Sequence, residues 1–492
     1  MKTPFAASMV VASLLAVLLA CQGGGGDGRG GDGGGGPTGT ARITGTVSGT
    51  TIVAYDSQGN RVAEASPTGT PPNRVFSIAL PVGRTYVLFL VENEGTASQR
   101  VFPLYTDVTL TTNLLAIAEP GTIDLGFVDT TSGNAIPSSN PLFANGVSAA
   151  GQSTSIPAAL TSSGVTFSQA DLVGSWALHS IAVTPTTTGW MRARFIVAAN
   201  GLAEWNQLAA SVPTGAIPPV YLKAAPGGVV TMAGSDFRGV MSGSKDLVTW
   251  IMSSPNGTDP SHPIKSLGFL QKLGTGADAS RLAGTYRFHQ MKGMGATDLV
   301  PGRGSWARGD LVVTPGLAAS APEAAFQTSD PVHNSTASYT GQLAIAADGT
   351  VTSPDNATFH GTLSLDGNTL VATATEGGEQ LLLVLQRAAS GCTAADLVGT
   401  WTYRQLEYWP QTLAQWAHGK ASIDASLNAM LVEASQPGIP EGPIPVAISG
   451  SGLITLTGDP GFRGAISIDK GLLVGVTSLD EGKTVQMMVL QK

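Results

Sequence analysis

The chain is poor in charged residues, in cysteine and in long apolar runs. Only 12% of its 492 residues are Asp, Glu, Lys or Arg, against roughly a quarter in average soluble domains. The formal net charge is −8 and basic residues do not cluster, so the sequence excludes nucleic acid as a partner. After the first 20 residues no run of eighteen apolar residues occurs, and no further membrane-spanning helix is predicted.

The motifs of common catalytic sites are also missing. The sequence contains no Gly-x-Ser-x-Gly, His-Glu-x-x-His, Walker or Cys-x-x-Cys pattern. Ser242-x-x-Lys245 matches a Ser-x-x-Lys pattern, but it lies in a predicted hairpin instead of opening a helix. The six histidines show no pair at ligand spacing, so neither a metal nor another cofactor is predicted. The sequence favours a non-catalytic protein, with a secreted hydrolase as the least favoured alternative.

Residues 1–20 are predicted to be an export signal. Lys2 precedes an uncharged apolar run from Phe5 to Ala20 that is short for a membrane span. Leu18-Leu19-Ala20-Cys21 resembles the lipobox of bacterial lipoproteins, which implies cleavage before Cys21 and acylation of that residue. An ordinary signal peptide with an incidental cysteine is the alternative. Gln22 implies, by the same resemblance, sorting to the outer membrane of a Gram-negative bacterium, on its periplasmic face or at the cell surface.

The second cysteine, Cys392, stands far from the first. If Cys21 is acylated, Cys392 is a single thiol in an oxidising compartment. Two interpretations stay open for it. It is either a small buried residue at a domain junction or a partner in an intermolecular disulfide.

Residues 21–40 are predicted to form a tether, because the glycine-rich sequence after Cys21 behaves as a random coil. Between residues 41 and 128, period-two alternation and Gly-Asn turn chemistry predict strands. Ile43-x-Gly45-x-Val47 and Phe76-x-Ile78-x-Leu80-Pro81 resemble the carboxypeptidase-regulatory, transthyretin-like β-sandwich. The resemblance implies a structural spacer or binding accessory without catalytic residues. Residues 129–167, rich in small polar residues and proline, are predicted to be a linker.

Three segments of about 100–110 residues follow, and each repeats five landmarks in the same order. The predicted units span residues 168–272, 278–387 and 392–492, and the repetition indicates internal duplication. The landmarks are an opening Gly-x-Trp or Gly-x-Tyr (Gly174 and Trp176, Gly284 and Tyr286, Gly399 and Trp401), a second tryptophan (Trp190, Trp306, Trp416), a Phe-x-Gly motif (Phe237, Phe359, Phe462), a polar turn (244–246, 366–368, 469–471) and a terminal Leu-Gln-Lys or Leu-Gln-Arg (Lys272, Arg387, Lys492).

Eight candidate strands with short polar joins can be marked in the last unit. Eight meandering strands can close on themselves, which removes exposed sheet edges. The sequence therefore predicts an all-β chain, with an N-terminal β-sandwich followed by three small eight-stranded antiparallel up-and-down barrels. β-Sandwiches are the alternative for the three units.

A Gly-x-Trp in the first strand and a basic residue in the last strand resemble the lipocalin-like barrels. The resemblance implies that the aromatic ring plugs the closed end of each barrel and that a cation lies over the ring. Such a contact contributes about 0.5–2 kcal/mol. These units are shorter than typical lipocalins, and the middle unit has tyrosine in place of tryptophan. The implied pairs are Trp176 with Lys272, Tyr286 with Arg387, and Trp401 with Lys492.

Two further patterns are interpreted as parts of strands. His179, His289 and Arg404 occupy one equivalent position, and alternation points them to the opposite face from the aromatic plug, onto a polar outer surface. Arg308-Gly309-Asp310 spells an adhesion tripeptide. It fills a repeated strand position after Trp306, however, whereas an adhesive tripeptide belongs on a protruding loop.

These patterns predict a lipid-anchored cell-envelope protein that displays four β-domains in a row for binding, adhesion or scaffolding. Its partners would be the membrane, through the anchor, and a protein, a polysaccharide or a small apolar ligand. A lipocalin-like carrier of a small apolar ligand is the alternative. A carrier needs an apolar cavity of about 300 Å³ or more, whereas filled barrels favour a scaffold.

Overall fold

A computed structural model describes residues 39–48, 51–69, 73–153, 155–161, 166–184, 187–211, 218–256, 259, 261–293, 304–321, 327–329, 339–409, 413–434, 442–479 and 484–492. The predicted signal peptide, Cys21 and nearly all of the predicted tether lie outside the described residues. No helix among the described residues is long and apolar enough to cross a membrane.

Two β-sheets pack face to face in the N-terminal module. Its elements are β1 Thr40–Val47, β2 Thr51–Asp56, β3 Arg61–Ala65, β4 Arg74–Pro81, β5 Arg84–Glu92, β6 Arg100–Pro103, β7 Leu115–Ile117, β8 Gly121–Asp129, β9 Ile136–Pro137, the 3₁₀ helix η1 Pro141–Phe143, β10 Val147–Ala149 and α1 Ala158–Thr161. One sheet has the order β4-β1-β8-β9 and the other β10-β7-β5-β2-β3, with β6 paired to β5. The alternating apolar residues of β1 and β4 enter the core between the sheets.

The segment 129–167, expected from composition to be a linker, takes part in this module. β9 pairs with β8, and β10 pairs with β7. Leu160 of α1 is buried against the outer side of the second sheet. Strands of two or three residues are too short for alternation to reveal them.

The first repeat closes into a barrel of eight antiparallel strands in chain order. Its elements are α2 Gln169–Leu172, β11 Gly174–Val183, β12 Thr188–Val197, β13 Leu202–Ala210, β14 Val220–Ala224, β15 Val229–Met232, β16 Arg238–Met241, β17 Leu247–Ser254 and β18 Ile264–Lys272. This unit is called barrel 1.

The second repeat, barrel 2, is a nearly closed barrel. Its elements are α3 Ala279–Leu282, β19 Gly284–Gly293, β20 Ser305–Val313, β21 Ala318–Ala321, β22 Gln327–Thr328, β23 Tyr339–Gln342, β24 Ala344–Ile345, β25 Thr350–Ser353, β26 Asn356–Leu363, β27 Thr369–Glu376 and β28 Glu379–Arg387. The two edges of its sheet are β23 and β24. Only Leu343 separates them in the chain, so the two edges meet there.

The third repeat, barrel 3, is again a closed eight-stranded barrel. Its elements are α4 Ala394–Leu397, β29 Gly399–Trp409, β30 Leu413–Ile423, β31 Asn428–Ala434, β32 Ile444–Ile448, β33 Leu453–Leu456, β34 Asp459–Ile466, β35 Leu472–Leu479 and β36 Thr484–Gln491. The predicted fold class, an all-β chain with three barrels of the eight-stranded type, is confirmed.

The three barrels form a ring. The first two strands of barrel 1 pack on the last two of barrel 2 (β11 and β12 on β27 and β28). In the same way β19 and β20 of barrel 2 pack on β35 and β36 of barrel 3, and β29 and β30 return to β17 and β18 of barrel 1. One heterologous contact is thus used three times and closes, as in a cyclic trimer. The expectation of domains displayed in a row is therefore wrong for the three repeats.

A shared apolar core lies where the outer faces of the three barrels meet. Each barrel contributes outward-pointing side chains from its first strand and its last two strands, and these side chains are buried. The contributions are Ile181, Leu267 and Phe269 from barrel 1, Met291, Leu382 and Val384 from barrel 2, and Leu406, Tyr408, Val474 and Met487 from barrel 3. The ring therefore has a hydrophobic core of its own in addition to the interior of each barrel.

The glutamine of the terminal Leu-Gln-Lys or Leu-Gln-Arg landmark crosses each contact of the ring. Gln271 Nε2 donates to Thr369 O at 3.2 Å, and Gln386 Nε2 donates to Leu472 O at 3.0 Å. In the third contact the side chain of Gln491 bonds Thr249 Oγ1 at 2.8 Å. A landmark that alternation alone could not explain thus belongs to the contacts between barrels.

The N-terminal module docks on barrels 1 and 3 through buried polar groups. Lys420 Nζ lies 2.6 Å from Glu92 Oε1, with both side chains buried. Asn93 exchanges two hydrogen bonds with the backbone of Thr400, at 2.8 and 2.9 Å. The Arg100 guanidinium donates to Gly227 O at 2.8 Å. Buried polar groups need partners, so these contacts fix the position of the module.

The outward-pointing His179, His289 and Arg404 face neighbouring barrels instead of solvent. Their exposed fractions are 3%, 3% and 2%. His179 Nε2 lies 2.9 Å from Thr362 Oγ1 of barrel 2, and Arg404 Nε donates to Arg238 O of barrel 1 at 3.1 Å. Alternation gave the direction of these side chains correctly. The prediction that they lie on a polar outer surface is wrong, because the ring covers that face.

The shared core predicts a large effect of truncating Leu406, an outward-pointing residue that is 0% exposed. We expect Leu406→Ala to lower the free energy of unfolding by about 2–5 kcal/mol, because it opens a cavity between barrels. Chemical denaturation measures the change. Leu453→Ala is the control, since Leu453 lies in the same barrel and is 43% exposed; its effect should stay within about 0.5 kcal/mol. Equal effects of both variants would contradict the ring.

The buried histidines predict a dependence of stability on pH. Burial, followed by the nearby Arg192, lowers the pKa of His179 to about 3 from its ordinary 6.5. As the pH falls below 6.5, the unfolded chain binds a proton that the folded chain refuses, so the free energy of unfolding decreases. We expect His179→Gln to remove up to about 1.4 kcal/mol per pH unit of this decrease. A slope in His179→Gln equal to that of the wild type would refute the assignment.

Candidate functional site

Each barrel has one end closed by the aromatic residue of its opening motif. Trp176, Tyr286 and Trp401 are all 0% exposed. Lys272 Nζ lies 5.5 Å from the ring centroid of Trp176, and Lys492 Nζ lies 5.1 Å from that of Trp401. In barrel 2 the structure brings Arg387 Cζ within 5.1 Å of the Tyr286 ring centroid. Barrels with tryptophan and with tyrosine thus share one geometry.

The one-turn helix before each barrel completes this end. Trp176 Nε1 donates to Leu172 O at 2.7 Å, Trp401 Nε1 donates to Leu397 O at 2.7 Å, and Tyr286 Oη donates to Leu282 O at 2.9 Å. The polar atom of each buried ring is thereby satisfied. The basic residues bind the same helices, because Lys272 Nζ donates to Asp171 O at 3.0 Å and Lys492 Nζ to Asp396 O at 2.9 Å.

The glycine of the opening motif turns the chain from this helix into the first strand. Gly174, Gly284 and Gly399 have φ values of 122°, 149° and 128°, which L-residues with a Cβ rarely adopt. A Cβ at Gly284 would also collide with the guanidinium of Arg387. The repeated Gly-x-aromatic phrase therefore belongs to the closed end and carries no reactive group.

Barrel 3 contains a cavity of about 440 Å³. Ligand pockets in proteins have volumes of about 300–1,000 Å³. Most of its wall is apolar and comes from side chains that point into the barrel. Among them are Ala421, Ile423, Leu431, Val446, Phe462 and Leu490.

The cavity exists because barrel 3 has small residues where barrel 1 has aromatic ones. Phe195 pairs with Trp205 in barrel 1, and the equivalent pair in barrel 3 is Ala421 with Leu431. The two rings of the barrel 1 pair lie 5.0 Å apart. The replacement of two rings by a methyl and an isobutyl group leaves room inside barrel 3.

A third position also differs between the two barrels, but other side chains take up its space. Trp250 of barrel 1 is 1% exposed and stacks on Phe237, with ring centroids 5.2 Å apart. Its equivalent in barrel 3 is Gly475, where the ring of Phe462 lies in the place that a Cβ would take. On the neighbouring strand Met488 stands where barrel 1 has the glycine paired with Trp250. The interiors of the two barrels therefore differ although their closed ends match.

The end of the cavity opposite Trp401 is polar. Gln405, Glu407, Gln415 and Gln486 line it. The amide of Gln486 donates to Glu407 Oε1 at 2.8 Å, and the amide of Gln405 donates to the same oxygen. The site thus joins an apolar body to a polar end that carries one carboxylate, held in place by two amides.

Tyr403 adds a polar group to the apolar body of the cavity. The residue is 2% exposed, and its Oη has no hydrogen-bond partner among the described residues. Burial raises the pKa of the Tyr403 phenol, so the group is a neutral donor at ordinary pH. A buried hydroxyl without a partner costs free energy; an acceptor on a bound molecule would remove this cost.

The other sequence candidates lie in ordinary structural positions. Arg308 and Asp310 lie within β20, where Arg308 Cζ lies 4.5 Å from the Trp306 ring centroid and Nη1 donates to Gly461 O at 2.9 Å. Cys392 is buried among apolar residues of barrel 3, which favours a packing role. No group of three or more His, Cys, Asp or Glu side chains in the described part of the chain could hold a metal ion.

The sequence analysis left open whether the barrels are hollow or filled, although the sequence contains a signal for the cavity of barrel 3. Aligned on their landmarks, the repeats replace Phe195, Trp205 and Trp250 by Ala421, Leu431 and Gly475. Loss of the paired rings of Phe195 and Trp205 indicates more room inside barrel 3 once the strand register is known. The signal for the cavity thus lies in the differences between the repeats and not in their shared landmarks.

No protein-family model and no curated protein matches the chain. Among solved structures, the chain is similar to isotype 1 transferrin binding protein B from serogroup B Neisseria meningitidis, with 7% identity and a TM-score of 0.21. The match covers 61% of this chain and 62% of that one, so the chain spans less than two thirds of this neighbour.

Two further solved structures are similar at the same low level. A protein of the DUF3598 family, of unknown function, from Nostoc punctiforme PCC 73102 has 10% identity and a TM-score of 0.16, over 65% of this chain and 95% of that one. A variant of transferrin binding protein B from Haemophilus parasuis Hp5 has 9% identity and a TM-score of 0.22, over 64% and 74%. Similarity at this level carries no argument about the function of this chain.

Proposed function

We propose that this chain is a cell-envelope binding protein whose third barrel holds a small apolar ligand. The cavity of about 440 Å³ in barrel 3 carries the proposal, because an apolar hollow of this size is larger than packed protein interiors leave by chance. The phenol of Tyr403, buried and without a partner, supports it. The role is one of binding rather than catalysis, since the described lining of the cavity presents one carboxylate and otherwise neutral groups.

Adhesion or scaffolding is less well supported than carriage of a ligand. Repeated domains supply reach and multivalency when they are strung out along the chain. Here the three repeats share one core and present different interiors. A protein or polysaccharide partner on the outer surface is compatible with the carrier, but no described surface argues for it.

The location in the cell envelope rests on the sequence of the first residues. The lipobox-like Leu18-Leu19-Ala20-Cys21 supports acylation of Cys21, and Gln22 supports sorting to an outer membrane. Two or three acyl chains hold a protein stably at a bilayer. The glycine-rich residues after Cys21 would leave the folded part free to turn above the membrane.

Filling the cavity tests the carrier. We expect Ala421→Phe combined with Leu431→Trp to weaken binding of the neutral apolar fluorophore N-phenylnaphthylamine by at least about 100-fold, because these side chains would occupy the space as Phe195 and Trp205 do in barrel 1. Fluorescence titration measures the affinity.

The control is Met430→Phe. Met430 lies on β31 beside Leu431, and its side chain points to the other face of that strand. This variant should bind the fluorophore as the wild type does, and both proteins should show the circular dichroism of a folded β-protein. If the wild type fails to bind, or if the filled variant binds equally well, the carrier is refuted.

Removal of the thiol tests the anchor. We expect Cys21→Ser to move the protein from the membrane fraction to the soluble fraction of cells, because no acyl chain can then be attached. Cys392→Ser, the matched change in the buried cysteine, should leave the protein in the membrane fraction. Retention of the Cys21→Ser protein in membranes would refute the proposed anchor.

A further inference from the structure

The interior of barrel 3 has a direction that can be followed along β29. Inward-pointing residues alternate along this strand, from Trp401 at the closed end through Tyr403 and Gln405 to Glu407. Residues of a strand advance by about 3.3 Å each, so about 13 Å separate the level of Tyr403 from that of Glu407. The cavity is therefore elongated, with an apolar body and one polar end.

Three features of the polar end point to the chemistry that it accepts. Glu407 is the one carboxylate among the lining residues of the cavity. The amides of Gln405 and Gln486 both donate to its Oε1, so the carboxylate is held in one orientation. Glu407 forms no ion pair with any described cation. The described part of the cavity thus presents a fixed negative charge without a counter-ion.

One cation of barrel 1 approaches this region. Lys265 Nζ lies 5.4 Å from the ring centroid of Trp416, which lines the cavity. Its ammonium group donates to Ser253 Oγ at 2.8 Å. Lys265 therefore contacts its own barrel and an aromatic ring, and it does not pair with Glu407.

We infer that the ligand of barrel 3 is an elongated amphiphile whose head is a cation, such as an alkylammonium, seated against Glu407. This inference rests on the proposed carrier function and adds the chemical class of its ligand. An ammonium head would donate to the carboxylate and neutralise its charge, whereas the carboxylate head of a fatty acid would meet a like charge in a partly desolvated site. The apolar chain would run toward Tyr403.

Competition among three amphiphiles of one chain length tests the inference. Dodecylamine, dodecanol and dodecanoate displace N-phenylnaphthylamine from the full-length protein at neutral pH, and their inhibition constants are compared. We expect dodecylamine to bind at least about tenfold more tightly than dodecanoate, with dodecanol between them; tenfold corresponds to about 1.4 kcal/mol.

The variant Glu407→Gln separates charge from shape. It keeps an acceptor oxygen for Gln405 and Gln486, so we expect the preference for dodecylamine over dodecanoate, taken as the ratio of the two inhibition constants within the variant, to fall to within about threefold. Glu204→Gln removes the same charge from an exposed position of barrel 1 and should leave the preference intact.

The outcomes distinguish the two proposals. If all three amphiphiles compete equally, or dodecanoate competes best, the cationic head is refuted while the carrier stands. A preference that survives Glu407→Gln also refutes it, because the selecting group is then elsewhere. If the wild type binds neither the fluorophore nor any amphiphile, the carrier itself fails, and the head-group assignment fails with it.

Discussion

Burial of three outer barrel faces against one another is the interaction on which the rest of this structure depends. Closing a sheet into a barrel satisfies its edges, but it leaves an outer surface that has to be covered wherever that surface is apolar. In each repeat the first strand and the last two strands point apolar side chains outward, such as Ile181, Leu382 and Val474. One barrel alone would expose this stripe. Three barrels in a closed ring bury it completely, because every stripe meets the next.

This constraint explains which residues the three repeats share. The opening Gly-x-aromatic and the terminal basic residue build the closed end, and the terminal glutamine builds the contacts between barrels. The second tryptophan also serves the ring, since Trp190 Nε1 donates to Thr375 Oγ1 and Trp306 Nε1 to Ser478 Oγ. The third contact departs from this rule, because Lys265 bonds the equivalent Ser253 and leaves Trp416 Nε1 without a partner among the described residues.

The sequence predicted the strands well because alternation and turn chemistry are local. The eight strands expected in the last repeat all occur, from β29 to β36. The ring could not be predicted, since its contacts join residues far apart in the chain, such as Gln271 and Thr369. His179 shows what strand alternation leaves undetermined. Alternation gives the direction of its side chain, but the neighbouring barrel determines whether that direction leads to water. The cavity required the strand register, which shows that Ala421 faces Leu431.

The ring also accounts for how the interior of barrel 3 can differ from that of barrel 1. A side chain inside a barrel contributes to stability by packing against its neighbours, so replacing Phe195 and Trp205 by Ala421 and Leu431 removes dispersion contacts from the interior. Barrel 3 loses those contacts, but its wall is supported from outside. Leu406, Val474 and Met487 pack in the shared core, and Asn93 and Glu92 of the N-terminal module bind its strands. Because support comes from the outer face, the inner face is free to differ. Duplication followed by closure into a ring thus separates the residues that hold the fold from those that line a site.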